Sequence, residues 1–169
     1  MSKPLNLVWM SSDAKRELIE EADDKYELET GGVLMGYSSH RSEFVVQHVI
    51  GPGPLAIHES DSFEPDYVYQ DRAIQTLFRA SNGITTYLGD WHTHPDGAAA
   101  LSRRDKKTLS RISKTREARI AHPLMLLASG QPSRWSINAW MGSETKIAEL
   151  SIFCVKVLVV RDFEADRQP

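Results

Sequence analysis

Short apolar runs with a two-residue period alternate along this chain with stretches whose apolar positions recur every three to four residues. The first pattern buries one face of a strand, the second one stripe of a helix. Leu5 to Met10 predicts a first strand, and Ser11-Ser12-Asp13 before a Lys, Glu and Leu-rich run predicts a capped helix to about Ala22. Its acidic end, Glu20, Glu21, Asp23 and Asp24, reads as a solvated face. From Glu29 to Tyr37 an apolar segment opens with Gly31 and Gly32. Glycines weaken a strand unless a backbone or ligand comes close, so beside the Glu29 carboxylate they suggest a sheet edge that substrate approaches. Phe44 to Ile50 alternates as a strand, and Gly51-Pro52-Gly53-Pro54 stops it.

Leu55 to Pro65 carries His58, Glu59, Asp61 and Glu64 without a compact ligand spacing, which predicts a surface loop flanking a cleft, with His58 a candidate to touch substrate. Val68, Ala73, Ile74, Leu77 and Phe78 form one helical stripe between Asp66 and Ala80, ended by Ser81-Asn82-Gly83. A strand-like run follows from Thr85, then a basic helix from Arg103 with Leu109 and Ile112 facing inward. Pro123 to Ser129, Trp135 to Met141 and Ile147 to Val160 read as late strands. The alternation predicts a single α/β domain over residues 1–169, with a mixed central β-sheet flanked by helices.

The chemistry concentrates in YLGDWHTHPDGAAALSRRD, from Tyr87 to Asp105. His92 and His94 are two apart in a strand, so both imidazoles leave one face and can meet one ion. Pro95, Asp96 and Gly97 break the strand, and Ser102 with Asp105 has the form of a helix cap and its acidic partner. Two imidazoles and the Asp105 carboxylate make a three-ligand set that leaves zinc an open fourth position, the arrangement of catalytic sites. Asp90 shares the parity of the histidines and is a candidate supporting carboxylate or an alternative ligand. Trp91 has the opposite parity and reads as core. Read without the histidines, Ser102 and Asp105 would be a capping box alone, and a metal-bound Asp105 is not expected to serve the backbone fully as well.

Composition narrows the classes. The formal net charge of -3 gives no global drive toward nucleic acid or an anionic membrane, although residues 103–119 are strongly basic. That helix reads as a solvated face or a dock for an acidic partner. One cysteine, Cys154, excludes an internal disulfide, a Cys-rich zinc site and the paired-cysteine site of nucleobase deaminases. It sits in an apolar run as a structural thiol, and a reducing cytoplasm is the expected compartment. His40, His48 and His122 are isolated.

His-x-His-Pro, six residues, then Ser-x-x-Asp resembles the JAMM motif of the JAB/MPN metallopeptidases, and Glu29 in ETGGVLMG matches the upstream glutamate of that family. With GPGP at 51–54, Phe63-Glu64-Pro65-Asp66 and LSRRD at 101–105, the chain is similar to the bacterial JAB type found in antiphage CBASS operons and integrative elements. It departs from many bacterial relatives in having Leu101, not proline, before the motif serine, a change expected to alter loop rigidity and not the ligands.

The resemblance implies a JAB/MPN domain of cytidine-deaminase-like fold holding Zn2+ with His92, His94 and Asp105. Glu29 then acts as general base and acid, and Ser102 stabilises the oxyanion. The implied substrate is a protein with an extended C-terminal tail bound along a strand edge. It would be a cGAS/DncV-like nucleotidyltransferase conjugated to targets by E1- and E2-like enzymes. Two other readings remain open: a processing or deconjugating peptidase for a ubiquitin-like or sulfur-carrier protein, and a noncatalytic MPN-type scaffold.

Overall fold

In this computed structural model residues 7–39, 43–144 and 150–160 are described. Leu5, Asn6, His40 and the start of the last expected strand, Ile147 to Glu149, lie outside the described residues. In chain order the elements are β1 (Leu7–Ser11), α1 (Ser12–Lys25), β2 (Gly31–Ser38), β3 (Glu43–Ile50), β4 (Ile57–His58) and β5 (Phe63–Glu64). There follow α2 (Tyr67–Ala80), β6 (Thr86–Pro95), α3 (Arg103–Lys114), β7 (Leu124–Gly130), β8 (Ser136–Glu144) and β9 (Leu150–Val160).

The long strands are hydrogen-bonded in the order β1-β3-β2-β6-β7-β8-β9, and β9 returns to pair with β1, closing a barrel. The pairs β1–β3, β1–β9 and β6–β7 are parallel and the rest antiparallel, so the mixed α/β sheet flanked by helices is present, with closure added. β2 lies between β3 and β6, but its ladder with β3 begins at Val33, so Gly31 and Gly32 are paired with β6 alone, and they also allow close packing. A Cβ on Gly31 would fall 2.3 Å from the Trp91 carbonyl oxygen and 2.5 Å from the Phe63 ring.

Because side chains alternate, the central strands are buried on both faces and read as continuous apolar runs. Leu34, Leu124 and Leu126 join an inner cluster with Val8, Met10 and Phe44, on which α1 lays Ala14 and Leu18. Val33, Met35 and Ile50 point the other way, under Ala73, Ile74 and Leu77 of α2. Met125 likewise meets Leu101 and Leu109. Thus α1 covers one face of the sheet, and α2 and α3 the other. Leu101, in the place where a proline was expected, is a buried anchor that pins the loop before α3.

Some local expectations differ. Val68 and Phe78 are 62% and 45% exposed, whereas Gln70 is buried and donates to the Gly51 carbonyl at 3.0 Å, so the buried stripe of α2 is narrower than its apolar residues suggest. The acidic end of α1 is not simply solvated. Glu21 accepts from the Thr30 hydroxyl and Asp23 from the Trp135 indole. α1 runs on to Lys25, and α3 stops at Lys114 with a separate 3-10 turn at Arg116–Ala118. His48, His122 and Cys154 are exposed.

The register of β6 carries the feature that shapes the site. Its pairing with β2 shifts between Leu34 and Met35, so that Leu34 faces Gly89 and Met35 faces Tyr87, with Leu88 the extra residue of a bulge. Tyr87 and Asp90, three apart, thereby come to one face, and Leu88 and Trp91 both enter the core. Gly89 permits this with φ +145°, and a Cβ there would lie 2.0 Å from the Leu124 carbonyl oxygen. Gly89→Ala is expected to destabilise the fold by about 3 kcal/mol, read as a lower urea midpoint, since strained backbone and overpacking each cost on the order of 1–3 kcal/mol.

Candidate metal centre and catalytic cleft

β6 ends on the outer face of the barrel with His92 buried and His94 half-buried. Their Nε2 atoms approach to 3.2 Å. The His94 Nδ1 lies 3.3 Å from the Ala98 carbonyl oxygen, which only accepts, so Nδ1 carries the proton and Nε2 keeps its lone pair for a ligand.

Asp105 arrives from the first turn of α3. The Ser102 hydroxyl accepts from the Asp105 amide at 3.2 Å, and Asp105 Oδ2 accepts from the Ser102 amide at 2.6 Å, completing a capping box. Oδ1 faces His92 Nε2 at 3.2 Å, and Oδ2 lies 3.4 Å from His94 Nε2. Capping and the cluster thus share the carboxylate: Oδ2 caps the backbone and also borders His94, while Oδ1 is left to His92. Burial opposes charge on Asp105, but the two histidines outweigh it and hold the carboxyl well below its usual range. Asp105 in turn raises the proton affinity of His94.

Among the described residues, His92, His94 and Asp105 form the group of three able to hold a metal ion. The fit is geometric as well as chemical. A tetrahedral zinc with bonds of about 2.0–2.1 Å has ligand-to-ligand edges of about 3.3–3.4 Å, close to the separations observed.

Glu29 sits at the mouth of β2, its Oε1 3.9 Å from His94 Nε2, and burial raises its carboxyl pKa. Its backbone is clamped from both sides. The Glu29 amide donates to the Glu59 carbonyl at 2.8 Å, and the His58 Nδ1–H donates to the Glu29 carbonyl at 2.9 Å. His58, a candidate substrate contact by sequence, is brought to the backbone of the glutamate. The pairing of Thr30 with Thr93 was not legible beforehand. The Thr30 amide donates to the Thr93 hydroxyl and the Thr93 amide to the Thr30 carbonyl, locking Glu29 beside the histidine strand. A polar residue between the two histidines on a core-facing parity was the available signal.

A cavity of about 310 Å³ opens beside these groups, lined by Glu29, His92 and Asp105 at one end and by Asp90 and Arg111 among the others. Gly32 also lines it, while Gly31 lies against Phe63. Asp90 is not hydrogen-bonded to either histidine. Its Oδ1 accepts from the Tyr87 hydroxyl at 2.8 Å, and burial pushes its pKa up to about 6 against that bond. Trp91 is core, and its indole donates to the Ile50 carbonyl. Ser102 is exposed at the start of α3.

The family model for prokaryotic homologues of the JAB domain matches residues 11–141. A Sinorhizobium fredii protein named "Probable metalloprotease" is 36% identical over 145 residues, covering 85% of this chain and 88% of its own length. An Escherichia coli "CD-NTase/cGAS isopeptidase" is 34% identical over 68 residues, covering 40% of this chain and 43% of that protein. The solution structure of a Desulfitobacterium hafniense protein superposes with a TM-score of 0.67 at 18% identity, covering 96% of this chain and 99% of that one, a likeness of fold. No described helix is long and apolar enough to cross a membrane. On the extent of the domain match and the relatives at this identity, the chain belongs to the family of prokaryotic JAB-domain proteins.

Proposed function

We propose that this protein is a zinc-dependent isopeptidase of the cytoplasm. It hydrolyses the amide that joins the C-terminus of a conjugated protein, a cGAS/DncV-like nucleotidyltransferase attached by E1- and E2-like enzymes, to a target amine. The observation that carries the reading is the convergence of His92 Nε2, His94 Nε2 and the Asp105 carboxylate at tetrahedral spacing, with the Glu29 carboxylate 3.9 Å away. The name of the Escherichia coli relative supports the substrate class.

His92, His94 and Asp105 would hold the ion, which when bound supplies a Lewis acid for the scissile carbonyl and lowers the pKa of a water. Glu29 takes the proton of the attacking water on a carboxylate oxygen and returns it to the leaving nitrogen. Its burial keeps proton affinity higher than that of a solvated glutamate. The Ser102 oxygen accepts the Asp105 amide, so its own hydroxyl proton is directed outward, to the carbonyl oxygen as charge develops there. His58 and the Glu59 carbonyl hold the backbone of Glu29 so that its reach does not drift. With the barrel closed, the strand edge for an extended tail belongs to the β4–β5 hairpin, where Phe63 borders the cavity.

The direct test is cleavage of a fusion bearing a nucleotidyltransferase C-terminal tail by metal-loaded wild type, by a chelated sample and by Glu29→Gln. Cutting directly after the tail, lost on chelation and in Glu29→Gln with zinc still bound, is the expected result. Zinc binding without cutting of this fusion would move the substrate to a ubiquitin-like or sulfur-carrier conjugate, and without cutting of any conjugate would leave a scaffold. Ser102→Gly is expected to keep the helix within a few tenths of a kcal/mol yet lower kcat by about 10²–10³, because glycine is a tolerable cap but no oxyanion donor. For His58→Ala we expect a drop of roughly tenfold or more in kcat with unchanged zinc content by elemental analysis, since small misplacements of a catalytic group are costly in rate. A loss of zinc in that variant would instead assign His58 to the metal.

A further inference from the structure

β6 brings one more acidic side chain to the metal-site face. Asp90 precedes His92 by two residues, so it leaves the same face about 7 Å farther along the strand. It lines the cavity that opens onto Glu29, His92 and Asp105, and it is partly buried there. Its Oδ1 accepts from the Tyr87 hydroxyl, and among the described residues no cationic side chain is paired with its carboxylate. A carboxyl that accepts one side-chain hydrogen bond and faces a cavity keeps acceptor capacity for a ligand. Part of the surrounding wall is apolar and aromatic, with Phe63 from the hairpin, Tyr67 from the start of α2 and Met125 from β7. Apolar walls leading to an acidic floor complement a side chain with an aliphatic stem and a cationic head.

Two other groups bear on the choice. Arg111 of α3 lines the same cavity and acts on Asp90 at long range without pairing with it. Arg104, also on α3, is turned to the Asp61 carbonyl at 3.3 Å across the mouth. Arg111 is therefore the internal competitor for Asp90, and a ligand cation has to displace its influence.

We propose that this cavity is the specificity pocket of the enzyme, in which Asp90 selects a lysine or arginine side chain on a substrate residue flanking the scissile bond. The distance along β6 from His92 to Asp90 suits a four-carbon stem whose backbone is at the metal site. The inference rests on the peptidase reading, and it assigns Asp90 to substrate binding, in place of support for the histidines.

The test reads binding on metal-loaded Glu29→Gln protein, which leaves the probe uncut. Two pairs of fluorescein-labelled octapeptides are used, each pair differing by lysine or norleucine at one of the two residues flanking the amide. For one pair the lysine form is expected to bind about tenfold or more tightly, as a charged hydrogen bond in a closed pocket does. Asp90→Asn in the same background keeps the size of the side chain and an acceptor for Tyr87, and it is expected to abolish the preference. Asp90→Glu, the second variant, retains it, and Arg111→Ala widens it. Equal binding of lysine and norleucine at both positions, no measurable binding of any probe, or a lysine preference that survives in Asp90→Asn with normal thermal unfolding would overturn the proposal. Hydrolysis by wild type with and without chelator is scored separately, so a failed pocket and a failed peptidase reading give different results.

Discussion

The arrangement depends on how Asp105 divides its two oxygens. Oδ2 closes the capping box with the Ser102 amide, and Oδ1 faces His92. A helix start has backbone N–H groups in need of acceptors, and a cation that imidazole lone pairs would hold calls for an anionic group beside them. One carboxylate serves both, so the position of α3 over the sheet and the position of the third ligand are a single constraint. Leu101 and Leu109 hold the same helix down by packing on Met125, which adds apolar burial to an interaction that alone would set direction more than stability.

The second constraint is the bulge in β6. A regular strand would send Tyr87 and Asp90 to opposite faces. The extra residue at Leu88, allowed by the positive φ of Gly89, lets the Tyr87 hydroxyl reach Asp90 while Leu88 and Trp91 fill the core. β6 can carry such chemistry because β2 and β7 shield it on either side, so its backbone is rigid where the histidines leave it. The site is thus built on a central strand and a helix start, with His58 of the β4–β5 hairpin holding the backbone of Glu29.

Much of this was legible in the residues. The capping box, the shared parity of His92 and His94, the inward positions of Leu109 and Ile112 and the order of strands follow from local chemistry and periodicity, which need no distant partner. The outward turn of Val68 and Phe78, the burial of Gln70 and the partners of Glu21 and Asp23 were not, because each depends on what another segment presents there.

The linear order of side chains settles which groups can share a face or cap a helix, since these are properties of a few consecutive residues with fixed periods. It therefore determined the histidine pair, the Ser102 and Asp105 cap and the mixed strand and helix content. The closure of the sheet where β9 meets β1, and the packing of the glycine pair of β2 against Trp91 and Ile50, were decided only in three dimensions. So were the clamp of His58 on Glu29 and the meeting of Asp90 with a cavity walled by α2, α3 and the β4–β5 hairpin. These join residues tens of positions apart, and their energies come from burial and pairing that exist only once the whole chain is folded.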